Sequence, residues 1–307
     1  MRAAVIGTGW GRVHVEALRR SGAQVVAVCG APEDAIRTRA FAAEERIPLV
    51  LDDPHSVLEL GVDVVTVATP ARTHQDMLTL FRDVPVICEK PVVGVTGDLS
   101  RLPVGGAATY INYAFSFLDT ARVFIQALQV SGAPSRVSVE TAYDLALNFT
   151  GPEWFLEVAS HPFSLVVHLL GTPVLLNGST TADPHDITRL ELAIGDVEVQ
   201  VVSRHQPDLR GLQHTIEAHT PAGVLQLTGA FHDGQPWRFE PVRLDGIPLN
   251  DGEWSPHDCW HLANDRSIRA VLHAIRADMT SDQAAAAGLF TQSRAAAIDR
   301  CLLQALP

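Results

Sequence analysis

With 307 residues, 47% of them hydrophobic, the chain is long enough to bury a sizeable core and to divide into two domains. A formal net charge of -12 argues against a general nucleic-acid binder, which needs clustered Lys and Arg, and no apolar run approaches the ~20 residues of a membrane-crossing helix. The start of the chain lacks a basic stretch, apolar run and cleavage site, and Cys29, Cys88, Cys259 and Cys301 have no paired spacing, so the expectation is a cytoplasmic protein with reduced thiols.

Ala3 to Ile6 has the length of a buried parallel strand, and Val13 to Arg20, apolar at Val13, Val15, Ala17 and Leu18, reads as the helix behind it. Between them lies Gly7-Thr8-Gly9-Trp10-Gly11-Arg12. Gly7 and Gly9 allow a tight turn and a close backbone approach to a pyrophosphate, which would sit on the positive end of the helix. The third glycine comes one residue early, at Gly11 rather than at position 12, so an ordinary strand-to-helix turn stands as the alternative.

The alternation continues with strands over Gln24–Cys29, Leu49–Leu51, Val62–Ala68 and Val84–Cys88, and helices over Glu33–Glu45, Pro54–Leu60 and His74–Phe81. Helices between strands force parallel pairing with right-handed crossovers, which predicts a doubly wound dinucleotide-binding sheet over residues 1–112. Three segments then share the ligand-binding edge: Gly7 to Arg12, Thr69-Pro70 to His74, and Glu89-Lys90-Pro91. The second strand ends in Cys29-Gly30-Ala31, without the carboxylate that binds the ribose 2'-hydroxyl of NAD. Arg12, Arg37 and Arg39 are candidate cations for a 2'-phosphate, so NADP(H) is slightly favoured over NAD(H).

His14 and His74 occupy helix positions where polar residues commonly face water, with the cofactor cleft as the alternative; His168 reads as partly buried. No metal is expected. From Gly94 to Gly106, four glycines and one proline predict a loop or a turn of helix where a crossover helix would stand.

Residues 113–307 carry strand patterns at Ser135–Glu140, Leu190–Ile194, Val197–Ser203, Thr215–His219, Val224–Thr228 and Trp237–Pro241, mostly without intervening helices. This predicts an α+β domain with a large open, mainly antiparallel sheet, helices on one face and a second face that needs cover. Arg266–Ala277 and Gln283–Leu303 read as C-terminal helices that pack back on the first domain.

Gly7-Thr8-Gly9, Ala68-Thr69-Pro70 followed by His74, Cys88-Glu89-Lys90-Pro91, and Tyr110-Ile-Asn112-Tyr113-Ala-Phe115 together resemble the Gfo/Idh/MocA oxidoreductase family, strongly over residues 1–120. The resemblance implies an NAD(P)-dependent enzyme moving hydride between nicotinamide and a C–O or C=N centre of a small metabolite, with sugars and cyclitols leading. Lys90 takes the place of the lysine beside the nicotinamide and substrate oxygen, with Glu89 and Pro91 holding it; an ammonium there stabilises a developing alkoxide.

Family members also carry an aspartate four residues before an acid–base histidine. Glu157 and His161 take those places, sharing one face if the segment is helical, although Pro162 permits the alternative that the helix starts there with Ser160 or His161 as cap. Ser164 stands where many relatives have a second aspartate. Asn112, Tyr113 and Trp154 are candidate substrate contacts, and a homodimer or homotetramer through the C-terminal sheet is implied. A non-catalytic NAD(P)-binding sensor or partner subunit is the alternative reading.

Overall fold

The computed structural model describes residues 1–144, 152–179, 188–256, 258–304 and 306, with the side chains of residues 152–154 and 179 left out. It divides into two compact units: Met1–Tyr113 with Asn264–Ala296, and Ala114–Ala263 with Ala297–Pro307.

The first unit is a doubly wound sheet. Its elements run β1 (Arg2–Ile6), α1 (Gly11–Arg20), β2 (Gln24–Cys29), α2 (Ala35–Glu44), β3 (Leu49–Leu51), β4 (Val64–Val67), α3 (His74–Leu80), β5 (Val86–Glu89) and β6 (Thr109–Asn112). Parallel pairing places the strands in the order β6-β5-β4-β1-β2-β3, with Ala3 beside both Val25 and Val64. Ala3, Ala4, Val5, Val64, Val65 and Ile87 are fully buried, as central strands covered on both faces require. The helix expected over 33–45 is a 3₁₀ turn at Pro32–Asp34 leading into α2, and the one expected over Pro54–Leu60 is 3₁₀ throughout. Between β5 and β6 a single 3₁₀ turn, Leu99–Arg101, replaces a crossover helix, as the glycine content predicts.

The second unit follows with α4 (Asp119–Ser131), β7 (Arg136–Tyr143), α5 (Pro152–Leu170), β8 (Val174–Ser179), β9 (Thr188–Ile194), β10 (Val197–His205), β11 (Gly211–Thr220) and β12 (Gly223–His232). Short strands β13 (Arg238–Phe239), β14 (Arg243–Leu244), β15 (Ile247–Pro248) and β16 (Glu253–Trp254) complete the sheet. The order is β15-β14-β12-β11-β7-β10-β9-β8, antiparallel except for β7 against β10. Inward-facing Val137, Val139, Val199, Val201, Ile216, Ala218, Leu225 and Leu227 are buried, and α5 lies across β7, β9, β10 and β11. The outward positions are more polar than the apolar face expected there. They carry cross-strand polar pairs instead: Arg204 with Glu140, Gln226 with Glu217 at 2.9 Å, Thr215 with Thr228 at 3.4 Å, and Arg136 with Gln200 at 3.4 Å.

The chain ends with α6 (Cys259–Arg276), α7 (Ser281–Ala286), β17 (Phe290–Thr291) and α8 (Gln292–Gln304). The Ala-rich helix expected over 283–303 is therefore two helices. Gly288 adopts φ 80° after α7, and β17 then pairs antiparallel with β6, Phe290 opposite Ile111. Sheet pairing and burial of Phe290 outweigh the helix propensity of the alanines.

A second correction concerns Pro162. α5 does not begin there; it runs from Pro152 to Leu170 with Pro162 inside. The proline cannot donate to the carbonyl one turn back, yet burial of Phe155, Leu156, Val158, Ala159, Phe163, Leu165, Val166 and Val167 along the helix outweighs that loss. The Ser164 hydroxyl donates to the His161 carbonyl at 2.6 Å within the helix.

Candidate active site

The glycine turn follows from three local constraints. Gly7 sits at φ 99°, donates its amide to Cys29 O at 2.8 Å, and a Cβ there would lie 2.5 Å from Ala68 O. Only glycine fits. Gly9 has open space where a Cβ would point, leaving the backbone approachable. Gly11 opens α1, and a Cβ there would lie 3.3 Å from Val5 Cγ1, so it brings the helix close to the strand despite its early place in the spacing. No acidic residue occupies the first turn of α1, and Trp10 at its N-cap makes no side-chain capping bond. An anion-accepting helix end needs both conditions.

Past the end of β2, an added Cβ at Gly30 would overlap Thr38 Oγ1. Of the three candidate cations, Arg12 is taken up by Glu44 and by Glu45 at 2.9 Å and lies over the Phe41 ring. Its guanidinium is held above its ordinary value chiefly by the Glu44 bond. Arg37 instead reaches the turn, donating Nε to Thr8 Oγ1 at 3.1 Å while Asp34 stands 3.5 Å away. Arg39 is exposed. The Cys29 thiol, pushed up to about 11 chiefly by burial, is not a reactive group near neutral pH.

At the ends of β4 and β5 the other two segments are tied together. Thr73 Oγ1 donates to Thr69 Oγ1 at 2.7 Å and lies 2.8 Å from Pro70 O. His74, first residue of α3 and fully buried, places Nδ1 2.6 Å from Pro91 O and Nε2 2.8 Å from Thr69 O. The Lys90–Pro91 peptide is cis.

Glu89 is 8% exposed, and its Oε1 meets His14 Nε2 at 2.9 Å and Asn112 Nδ2 at 2.6 Å. The same Asn112 amide donates to Asn264 Oδ1 of α6 at 2.7 Å. Burial pushes the Glu89 carboxyl up, but the hydrogen bond and charge of His14, the Asn112 amide and the adjacent Lys90 ammonium outweigh it, holding the group below its ordinary 4.5. His14 and His74 are thus fully buried, and the expectation that they face water is corrected: their helix faces abut the ends of β4 and β5, where carbonyls and a carboxylate require donors.

Lys90 is half-buried and is the only lysine among the 23 Lys and Arg residues of the chain. That singularity is a signal sequence reasoning passed over. The other 22 of these residues are arginines, which present a planar guanidinium rather than a compact ammonium.

Tyr113 is 1% exposed and packs edge-on against Phe290, centroids 4.9 Å apart. Glu157 and His161 belong to the second unit, four residues apart on α5 and so on neighbouring turns of one face. The half-buried His161 ring stands perpendicular to Trp260 with centroids 4.6 Å apart. Trp260 stacks on Trp237 at 5.6 Å, and Trp237 stacks on His214 at 5.4 Å and on Phe239 at 5.7 Å. This aromatic wall behind His161 was not anticipated; its members are scattered over some 50 residues of strand and helix with no common spacing. The Trp154 side chain lies outside the described residues. Among the described residues no group of three or more His, Cys, Asp or Glu gathers as metal ligands, and no helix is long and apolar enough to cross a membrane.

A glycine turn at the first strand of a doubly wound sheet, with the Glu-Lys-Pro segment at its fifth, defines an NAD(P)-dependent oxidoreductase built on a Rossmann domain. Residues 1–102 match the oxidoreductase family with NAD-binding Rossmann fold, Gfo/Idh/MocA. Inositol 2-dehydrogenase 1 of Saccharopolyspora erythraea is 32% identical over 239 residues, 68% of this chain and 70% of that protein. The chain belongs to the Gfo/Idh/MocA family. Its fold is that of myo-inositol dehydrogenase from Lactobacillus casei, solved with NAD(H) and myo-inositol (TM-score 0.73, 18% identity, 100% of this chain and 93% of that one). Levoglucosan dehydrogenase, solved with NADH and levoglucosan, is similar in fold (TM-score 0.74, 14% identity, 99% and 96%).

Proposed function

We propose that the protein is a dehydrogenase of a cyclitol or sugar alcohol, with Lys90 polarising the substrate oxygen, His161 exchanging the hydroxyl proton and Glu157 supporting the imidazole. The observation that carries this reading is Lys90 itself: the single lysine of the chain, between a carboxylate and a carbonyl that are both anchored by buried histidines. The open approach at Gly9 and the uncapped start of α1 suit a dinucleotide, whose nicotinamide, when bound, supplies the hydride acceptor or donor. In the oxidation direction Lys90 stabilises negative charge growing on the oxygen while His161 removes its proton; in reduction the same groups act in reverse.

The cyclitol preference draws on the inositol 2-dehydrogenase likeness, with reduction of an imine as the second chemistry. NADP(H) is favoured by Arg37 beside the glycine turn, and NAD(H), the ligand of two similar folds, is the competing cofactor. Homodimer formation through the second sheet would be polar and salt-sensitive, given the charged pairs on its outer face; sedimentation at two ionic strengths reads it.

The test is Lys90→Met assayed by nicotinamide absorbance against a panel of cyclitols, sugars and imines, beside a fluorescence titration with NADH and NADPH. Turnover should fall ~10²- to 10³-fold with cofactor affinity within about twofold, as for loss of one group stabilising an oxyanion. Equal losses in both contradict the role of Lys90. Cofactor binding with no turnover on any substrate, unaffected by Lys90→Met, favours the non-catalytic sensor.

A further inference from the structure

The residues flanking Lys90 are each fixed by a different buried imidazole. On one side the Glu89 carboxylate is gripped by His14 from α1 at 2.9 Å and by Asn112 from β6 at 2.6 Å, with Asn112 anchored in turn to Asn264 of α6 at 2.7 Å. On the other side the Pro91 carbonyl is gripped by His74 from α3 at 2.6 Å, whose second ring nitrogen holds Thr69 O at 2.8 Å. Both imidazoles are 0% exposed, and all these residues lie in one compact unit.

From this arrangement we infer that His14 and His74 form a two-sided clamp that positions Lys90, His14 through the Glu89 carboxylate and His74 through the Pro91 carbonyl. The inference rests, for its catalytic consequence, on Lys90 having the polarising role given above; its geometric part stands without it.

The chemistry favours positioning over simple packing. An imidazole buried only to fill space needs one hydrogen bond per polar atom, from any neighbour. Here two histidines from two helices converge on two residues separated only by Lys90. Carbonyl oxygens only accept, so a neutral His74 makes one of its two bonds and a protonated His74 makes both, joining the segments after β4 and β5. A lysine side chain has four rotatable bonds, so fixing its backbone on both sides narrows where its ammonium can be found. An error of about 1 Å in a reacting group can cost ~10²-fold in rate.

The single lysine supplies a direct reporter. Protein carrying [ε-¹³C]lysine gives one lysine signal, that of Lys90, in the free enzyme and with NADH or NADPH added. His14→Leu and His74→Leu remove the gripping donors. His14→Gln keeps a donor at the Nε2 position, and His74→Asn keeps one at Nδ1. The clamp requires that either leucine variant move the Lys90 signal toward the position of free lysine and lower kcat about 10- to 100-fold, with KM for cofactor within about threefold. The Gln and Asn variants should recover most of both. If a leucine variant fails to fold, near-isosteric Glu89→Gln weakens the charge-assisted grip and should displace the signal instead.

An unmoved lysine signal in folded His14→Leu, His74→Leu or Glu89→Gln protein overturns the clamp, as does failure of the Gln and Asn variants to recover it. The two readings fail separately. If Lys90→Met leaves turnover intact, the catalytic role falls while the signal still decides the clamp; if Lys90→Met abolishes turnover and the signal never moves, the role stands and the clamp falls.

Discussion

Replacing His14 by leucine has a consequence for stability whose pH dependence follows from Glu89. In the native protein this carboxyl is held below 4.5, so its ionisation favours the folded state. That contribution is complete above 4.5 and lost as pH falls through the lower folded value. In His14→Leu, the hydrogen bond at 2.9 Å and the charge of the imidazole disappear, leaving burial opposed only by Asn112 and Lys90. With His14 gone, burial is opposed by less, the folded carboxyl moves up from its native value, and the stability that its ionisation contributes shrinks. Removing the hydrogen-bond partner of a buried carboxylate costs about 3 kcal/mol. At about 2–4 °C per kcal/mol for a chain of this size, Tm should drop by roughly 6–12 °C. Thermal unfolding of both proteins from pH 4 to pH 7 is the assay, and the gap between them should widen toward neutrality. A gap that is constant across the range, or largest at acid pH, refutes the reasoning.

Arg37→Ala removes the guanidinium that bonds Thr8 Oγ1 and should weaken NADPH about tenfold while leaving NADH within twofold, measured by fluorescence titration; equal effects on both would remove Arg37 from 2'-phosphate recognition. Gly7→Ala forces a side chain into positive φ and onto Ala68 O, so it should destabilise the first unit by about 2 kcal/mol or more and abolish dinucleotide binding, read by unfolding and titration together. Retained NADH affinity in a folded Gly7→Ala protein would contradict the turn as the pyrophosphate seat.

What could be read in the sequence and what could not divides by the range of the interaction. The glycine turn and Glu89-Lys90-Pro91 are legible because a few adjacent residues carry their own backbone requirements, as Gly7 at φ 99° does. α4 escaped notice because its buried residues, Phe124 and Leu128 among them, are interrupted by Arg122 and Gln126, and its N-cap residue, Leu118, makes no side-chain capping bond. The split of the 283–303 helix depends on a partner strand some 180 residues earlier, and local propensity carries no trace of it. His14 and His74 are the instructive cases. A histidine on a helix following a strand looks solvent-facing by local pattern, because what it faces is chosen by the sheet order: Glu89 lies 75 residues from His14, and Asn264 lies 152 from Asn112. The parallel order β5-β4-β1 brings the carboxyl ends of those strands side by side, so the residue after each strand meets the helices that start from its neighbours. Polar residues at helix starts in such a fold therefore belong to the ligand edge by topology. Here that placement sets two unremarkable histidines on the residues that flank the chain's single lysine.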